Sequence, residues 1–152
     1  MALKTIIAAL ALALAVPAFA GAAESRERVV EVVAATLYHE ARGEGEKGME
    51  AVASVIYNRA RQKRWRKLGV VGVCLQRKQF SCFNAGYRFP APKTPADRAA
   101  LKNCISIAER IADGKFAPLH AGNHYCTVNC PVSWKAKLKN PVRIGRHVFG
   151  TL

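Results

Sequence analysis

Apolar residues recur at helical spacing in the first half of the chain. Ser25 is a favoured N-cap residue, and Glu27 follows in the first turn. The first apolar stripe consists of Val29, Val30, Val33, Leu37 and Ala41. The second follows Glu46 and consists of Met49, Val52, Ala53 and Ile56. Because each set falls on one face of a helix, we expect two amphipathic helices, with Gly43 ending the first as its C′ residue.

A third helix has the clearest start signal. Thr94 is placed as the cap, Pro95 as the first helical residue and Asp97 as the N3 partner of a capping box. Its helical stripe consists of Ala100, Leu101, Cys104, Ile105 and Ala108. We expect this helix to end at Asp113-Gly114.

The remaining segments have weaker patterns. Residues 70–79 predict a short helix or turn, and residues 80–92, which include two prolines, predict a loop. Helical rhythm is absent after Pro118, and His147-Val148-Phe149 is the best strand candidate. The expected fold is mainly α (α+β), with a small β element toward the C-terminus.

Residues 1–20 predict a signal peptide. Lys4 provides the positive start, residues 5–16 are almost wholly apolar, and Ala18-Phe19-Ala20 is a small-x-small cleavage site. The apolar run is shorter than the roughly 20 residues that span a membrane, although an uncleaved anchor stays open as an alternative. We expect export to the periplasm or secretion, and a single domain over residues 21–152.

The chain is strongly basic, with 24 Lys and Arg against 10 Asp and Glu, a net charge of +14 at pH 7. Such a charge attracts polyanions. An exported protein meets little nucleic acid, so we expect no nucleic-acid partner and instead electrostatic contact with an anionic wall or membrane surface. The densest basic segment, residues 59–67, is either a solvated helix end or a docking surface. We expect a monomer.

Five cysteines suit an oxidising compartment: Cys74, Cys82, Cys104, Cys126 and Cys130. They allow two disulfides and leave one thiol over, and sequence alone leaves the connectivity open. We favour Cys126–Cys130 and Cys74–Cys104 bridges, with Cys82 free and buried.

Glu40 is the acid whose position indicates chemistry. It follows Val33 and Leu37 by seven and three residues, so it shares their inward face. It also lies in the last turn of the helix, where the helix dipole is negative. Burial and the dipole both favour the neutral carboxyl group, which is the form that a general acid needs. The alternative is a structural glutamate paired with Arg42 or another arginine.

The scarcity of acids bears on the reaction. Ordinary glycoside hydrolysis uses two carboxyl groups, and no second candidate is obvious among the ten acidic residues. A lytic transglycosylase needs one. Its acid protonates the glycosidic oxygen and then takes the proton of the substrate's own C6 hydroxyl, which closes on C1 to give a 1,6-anhydro sugar. One acid therefore modestly favours this route.

Two rival sites have weaker support. His120, His124, Cys126 and Cys130 are zinc-ligand types, but their spacing is unusual and disulfide formation competes for the thiols. Cys82 could be a nucleophile with a histidine base, although its place between Phe80 and Phe83 is typical of a buried structural cysteine. We expect neither a metal nor another cofactor.

Several stretches in order resemble the SleB-type cell wall hydrolase family. They are Tyr38-His39-Glu40-Ala41-Arg42-Gly43-Glu44, residues 50–59, Val73-Cys74, residues 79–84, His124-Tyr125 and residues 144–149. The resemblance implies a compact lysozyme-like domain related to lytic transglycosylases and resuscitation-promoting factors. It also implies cleavage of the β-1,4 bond between N-acetylmuramic acid and N-acetylglucosamine in the glycan strands of peptidoglycan.

The resemblance also implies that Glu40, the first acid of its E-A-R-G-E motif, is the catalytic acid/base. Glu44 is then expected to shape the turn or bind Arg42. The predicted substrate-binding residues are Asn58, Gln79, Phe80, Ser81, His124, Tyr125 and Trp134. Core packing is the alternative for Phe80 and Trp134, and loop scaffolding is the alternative for Asn58 and Gln79. A hydrolytic muramidase and a non-catalytic cationic wall-binding protein are the alternative functions.

Overall fold

The computed structural model describes residues 24–152, so the predicted signal peptide, residues 1–20, lies outside the described residues. The described part contains helices α1 (Arg26–Ala41), α2 (Gly45–Arg61), α3 (Gly69–Leu75) and α4 (Pro95–Ala112). Strands β1 (His124–Thr127), β2 (Lys139–Ile144) and β3 (His147–Thr151) follow, with short 3₁₀ turns over residues 66–68, 81–83 and 133–137. The fold is mainly α with a small C-terminal sheet, as predicted. No helix among the described residues is long and apolar enough to cross a membrane.

The predicted helix caps are present. The Ser25 hydroxyl accepts a hydrogen bond from the Arg28 backbone N–H at 3.2 Å. Thr94 and Asp97 form both halves of a capping box, with bonds of 3.0 and 3.3 Å. Helix α4 ends at Ala112, with Asp113 as its C-cap. These signals act within three or four residues, and for that reason the sequence predicts them well.

Gly43 is not the left-handed residue that the sequence predicted at the end of α1. Arg42, the C-cap, is right-handed helical, and the positive φ of 71° belongs to Gly45, the first residue of α2. The Glu44 N–H donates to the Ala41 carbonyl at 2.9 Å, so a hydrogen-bonded turn continues past Gly43. The tight connection holds the end of α1 next to the start of α2.

Helix α1 is the central element of the core. It packs against α2, α3 and α4, so residues 32–37 are all fully buried, a wider surface than the predicted stripe. Thr36 is tolerated there because its hydroxyl donates to the Val32 carbonyl at 2.8 Å. A helix enclosed in this way holds its last turn, and with it Glu40, in a defined place.

The sheet is antiparallel with strand order β1-β3-β2. In its register Tyr125 of β1 pairs with Phe149 of β3, whose side chain is 1% exposed. The pairing continues beyond β1, since the Asn123 N–H donates to the Gly150 carbonyl at 2.9 Å. Phe149 belongs to the same core cluster as the helices, so the sheet is fixed against them.

The two predicted disulfides are absent, and all five cysteines are free thiols. Cys104 faces Met49 of α2, with 3.4 Å between the sulfur atoms, and the Cys74 thiol interacts with Thr36 of α1. The Cys74–Cys104 pairing is therefore wrong for this structure, because each thiol packs against a different helix. Cys126 and Cys130 are near each other but unbonded, and Cys82 is free and only half-buried.

Candidate active site

A groove of about 570 Å³ lies beside the end of α1 and is walled by β1 and the loops around it. Six of the predicted site residues line it: Glu40, Gln79, Ser81, His124, Tyr125 and Trp134. They come from four separate parts of the chain, which the fold brings together. Among the described residues, Glu40 is the one acid in its lining.

Glu40 is half-buried and is held by a tyrosine from the sheet. The Tyr125 hydroxyl donates to Glu40 Oε2 at 2.8 Å. The Tyr125 ring stacks on Phe149, with centroids 5.5 Å apart, so its direction is fixed by the core. Burial, followed by the nearby Glu40 carboxylate, raises the pKa of Tyr125 well above its ordinary value, which keeps the hydroxyl protonated as a donor. Since Oε2 accepts this bond, the proton of a neutral Glu40 belongs on Oε1.

Cys82 adjoins the same carboxyl group but is poorly suited to be a nucleophile. Burial, and then the negative charge of Glu40, raises the pKa of Cys82 to about 11. The thiolate is the reactive form of cysteine, and little of it exists at neutral pH under these conditions. A Cys82 nucleophile is therefore disfavoured, because burial and the neighbouring carboxylate keep the thiol protonated.

Arg59 organises one wall of the groove, and the sequence did not single it out. Its side chain is buried, with Nε donating to the Asn123 carbonyl at 2.7 Å and Nη1 donating to Gln79 Oε1 at 2.9 Å. Burial lowers the pKa of Arg59, although a guanidinium stays charged at neutral pH. In the sequence, Arg59 is the first residue of the basic segment at residues 59–67. Its place at the end of the stretch that resembles the family, residues 50–59, was the one signal that set it apart from the other basic residues.

Asn58 is a scaffold residue that lies outside the groove lining. Its Nδ2 donates to the carbonyls of His120 and Gly122, at 2.8 and 2.9 Å. His120 completes this clamp, with Nε2 donating to the Ala51 carbonyl and Nδ1 accepting from the Gly122 N–H, both at 3.0 Å. The prediction that Asn58 binds sugar is therefore corrected, because its amide nitrogen holds the loop that leads into β1.

The prediction that Phe80 binds substrate is also corrected. Its side chain is 2% exposed and lies in the core, with the Arg59 guanidinium 5.9 Å from its ring. A ring buried this completely has no face left for a sugar. Core packing, the alternative stated for Phe80, describes its position.

His124 and Trp134 are half-buried at the groove. Their ring centroids are 5.7 Å apart, edge to face. His124 Nδ1 lies 2.7 Å from Asn123 Oδ1, which also accepts the Leu152 N–H, so Nδ1 is the donor. Burial, and then the charges of Arg59 and Arg64, lowers the pKa of His124. The neutral ring therefore keeps a free lone pair on Nε2, which can accept a hydrogen bond from a ligand.

Glu44 binds Arg146 rather than Arg42. Its carboxylate is 5% exposed and accepts from the Arg146 N–H at 3.1 Å and from its Nε at 2.6 Å. Burial raises the pKa of Glu44, but the bonds from Arg146 outweigh burial and the net pKa is lowered. Arg42 instead lies 3.7 Å from Asp97. Glu44 is thus an ionised anchor between the α1–α2 turn and the β2–β3 turn.

The four candidate zinc ligands, which are His120, His124, Cys126 and Cys130, do not assemble into a metal site. His120 and His124 are oriented by backbone and side-chain partners, as described above. Within residues 24–152, no group of three or more His, Cys, Asp or Glu side chains is close enough together to hold a metal ion.

Comparison with known proteins gives one family match and two solved structures. The family model for cell wall hydrolases matches residues 43–150, starting three residues after Glu40. The catalytic domain of the germination-specific lytic transglycosylase SleB from Bacillus anthracis is similar, with a TM-score of 0.62 and 23% identity, over 86% of this chain and 99% of that one. The SleB catalytic domain from Bacillus cereus has a TM-score of 0.60 and 22% identity over the same shares. No curated protein matches the chain.

Proposed function

The chain belongs to the cell wall hydrolase family, and from this premise we propose that it is a peptidoglycan lytic transglycosylase with Glu40 as its single acid/base. The bond cleaved is the β-1,4 bond between N-acetylmuramic acid and N-acetylglucosamine. The observation that carries the proposal is the hydrogen bond from Tyr125 to Glu40 Oε2 inside a groove whose lining, in the described residues, has no other acid.

The geometry suits a proton that leaves and returns at one oxygen. Glu40 Oε1 donates its proton to the glycosidic oxygen as the bond from that oxygen to C1 breaks. The carboxylate then takes the proton of the C6 hydroxyl, whose oxygen forms a new bond to C1 and closes the 1,6-anhydro ring. Tyr125 keeps Oε2 occupied as an acceptor throughout, so both transfers use the same, correctly oriented oxygen.

A water-based mechanism would need a second carboxyl group near the first. Glu44 is the neighbouring acid in the sequence and shares a second cavity of about 360 Å³ with Glu40. Its carboxylate, however, is buried against Arg146 through two hydrogen bonds. A general base in that state would have to break an ion pair to accept a proton, so Glu44 supports the one-acid route rather than a muramidase.

The similarity in fold to the two SleB catalytic domains is consistent with this proposal, since one of them is described as a lytic transglycosylase. Five residues remain as proposed substrate contacts: Gln79, Ser81, His124, Tyr125 and Trp134. The substrate lies outside the cytoplasm. Export through the predicted signal peptide, residues 1–20, therefore belongs to the same proposal.

Product analysis tests the reaction. Protein made from the full-length gene would digest purified peptidoglycan, and mass spectrometry would identify the ends of the soluble fragments. We expect 1,6-anhydro-muramic ends from the wild type and none from Glu40→Gln, which keeps the shape of the side chain but removes its titration. Glu46→Gln, at an exposed position six residues away in the first turn of α2, is the matched control and should retain activity.

Reducing muramic ends from the wild type would instead identify a muramidase. Equal activity of the wild type and Glu40→Gln would reject Glu40 as the acid/base. No fragments from any of the proteins would contradict an enzyme for this substrate and would favour a cationic wall-binding protein.

A further inference from the structure

We propose that Arg77 and Lys78, together with the small cavity beside them, bind the acidic peptide that branches from the glycan strand. This inference rests on the proposed function of the groove and specifies its substrate further. The preferred substrate would be glycan that still carries its peptide stems, rather than bare glycan.

The two cations lie on a turn that is held from both sides. The turn follows α3 and is closed by a bond from the Gln79 N–H to the Gln76 carbonyl at 3.1 Å. The Gln79 side chain is bound by Arg59, and the next residue, Phe80, is buried. Lys78 has a φ of +65°, a left-handed conformation that is uncommon for a residue other than glycine. The anchors on each side maintain this conformation, so the backbone that carries the two exposed cations keeps a defined place.

Lys78 stands where two cavities meet. It lines the groove that contains Glu40 and also an adjoining cavity of about 380 Å³. Arg77 lines this adjoining cavity, and Leu75 and Phe83 provide an apolar part of its wall. A branch that leaves a glycan in the groove near Lys78 would therefore enter a space with cations on one side and apolar groups on another.

Arg77 and Lys78 have no acidic partner within the described part of the chain. The ion pairs there involve five arginines: Arg26, Arg28, Arg42, Arg110 and Arg146. In the basic segment at residues 59–67, Arg59 lines the groove but already donates to the Asn123 carbonyl and to Gln79. Residues 61–67 line neither the groove nor the adjoining cavity. Position therefore distinguishes Arg77 and Lys78 from the general basic surface.

The chemistry of a peptide stem complements this cavity. Stems are joined to the lactyl group of N-acetylmuramic acid and combine carboxylates with small apolar side chains. The carboxylates would pair with the two cations, and the apolar side chains would contact Leu75 and Phe83. Gln76, also in the cavity wall, has a buried side-chain oxygen with no donor among residues 24–152.

The test compares two substrates that differ only in their stems. One is intact peptidoglycan solubilised by sonication, and the other is the same material with its stems removed by an N-acetylmuramoyl-L-alanine amidase. The rate of formation of anhydro ends gives kcat/KM for each. We expect the wild type to prefer the substrate with stems about tenfold, near the upper end expected of two exposed ion pairs. Higher salt should reduce that preference.

The double variant Arg77→Gln/Lys78→Asn removes both charges, and asparagine tolerates the left-handed conformation at position 78. We expect it to lose the preference for stems, because kcat/KM for the substrate with stems should fall about tenfold more than kcat/KM for bare glycan. Lys63→Gln/Lys67→Gln, which removes two exposed charges away from both cavities, should keep the preference. If the double variant unfolds at a lower temperature than the wild type, Arg77→Gln/Lys78→Gly provides the same loss of charge without left-handed strain.

The outcomes separate this inference from the proposed function. Cleavage of bare glycan by the wild type supports the proposed function whatever the variants do. A wild type without preference, or a double variant that keeps it, would overturn the peptide subsite. Loss of preference in the Lys63/Lys67 control as well would overturn it in favour of a general effect of charge.

Discussion

At the scale of single residues, one hydrogen bond determines how the candidate acid can work. Tyr125 donates to Glu40 Oε2 from a ring that is stacked on Phe149. The bond selects the oxygen that carries the proton and fixes the plane of the carboxyl group. A group oriented in this way does not need to reorganise between the two proton transfers.

Tyr125→Phe tests this orientation. The variant keeps the stacked ring and removes only the donor, so we expect kcat to fall at least tenfold, a part of the effect that acid–base catalysis typically contributes. Steady-state kinetics on soluble glycan would show the change in kcat.

Tyr57→Phe is the control for this substitution. Tyr57 is a half-buried tyrosine of α2 whose ring packs against Phe116, away from the groove lining. Removal of the Tyr57 hydroxyl should leave kcat unchanged. A Tyr125→Phe enzyme that behaves like Tyr57→Phe would show that the hydrogen bond does not orient the acid.

At the scale of elements, the site depends on two connections that hold the helices to the sheet. One is the clamp from Asn58 to the loop before β1. The other joins Glu44, between α1 and α2, to Arg146, between β2 and β3. The Glu44 side chain also lies close to the β2–β3 turn, since a Cβ on Gly145 would lie 2.5 Å from Glu44 Oε2. The second connection fixes the sheet relative to the end of α1, where Glu40 lies.

Gly145→Ala should therefore lower the unfolding free energy more than the same substitution at a left-handed glycine without such a contact. Gly114 has a similar positive φ, 68° against 58°, but a Cβ there would meet no atom within 4 Å. Gly114→Ala should cost about 1–2 kcal/mol of unfolding free energy from the backbone conformation alone. Gly145→Ala should cost about 1 kcal/mol more, because the methyl group displaces the Glu44 carboxylate from the exposed Arg146 side chain.

Urea denaturation of both variants measures this difference. If the two substitutions lower the unfolding free energy equally, the contact between Glu44 and the β2–β3 turn would not contribute to stability. Lower activity of Gly145→Ala under conditions where it remains folded would show that the Glu44–Arg146 connection also positions the site.

At the scale of the whole molecule, charge and burial make the protein sensitive to acid. Burial lowers the pKa of His120 and His124 from their ordinary value of about 6.5. His120 must be neutral in the folded state, because Nδ1 accepts from the Gly122 N–H while Nε2 donates to the Ala51 carbonyl. The pKa of Glu44 is lowered as well, as described above.

The lowered pKa values of these groups determine how the unfolding free energy changes with pH. As the pH falls through about 6.5, the unfolded chain binds protons at these histidines before the folded protein does, so the unfolding free energy decreases. The unfolding free energy decreases further when the pH falls below about 4.5. Carboxylates such as Glu44, whose pKa is lowered by folding, are then protonated in the unfolded chain before they are protonated in the folded protein. Urea unfolding between pH 7.5 and 5.5 should show the first decrease.

His120→Gln should flatten this first decrease, even though the variant loses a clamp and is less stable at every pH. His39→Gln, at an exposed position of α1, provides the matched control and should keep the slope of the wild type. Equal slopes for His120→Gln and the wild type would exclude His120 as a source of the pH dependence.

Local signals in the sequence determined much of the fold. The caps at Ser25 and Thr94, the three amphipathic helices and the strand at His147 were all predicted correctly. Each follows from interactions over a few residues or from a repeat of 3.6, which a linear pattern records. The same periodicity placed Glu40 on the inner face of α1, and the structure brings it to the groove together with five other predicted residues.

The tertiary structure alone decided which side chains meet. Glu40 and Tyr125 are 85 positions apart, and Glu44 and Arg146 are 102 apart, so no local pattern pairs them. For the same reason the sequence could not tell that Asn58 and Arg59 hold the β1 loop, that Phe80 fills the core, or that the thiols of Cys74 and Cys104 face different helices. Periodicity specifies the face of a helix, but the packing of elements determines what that face touches.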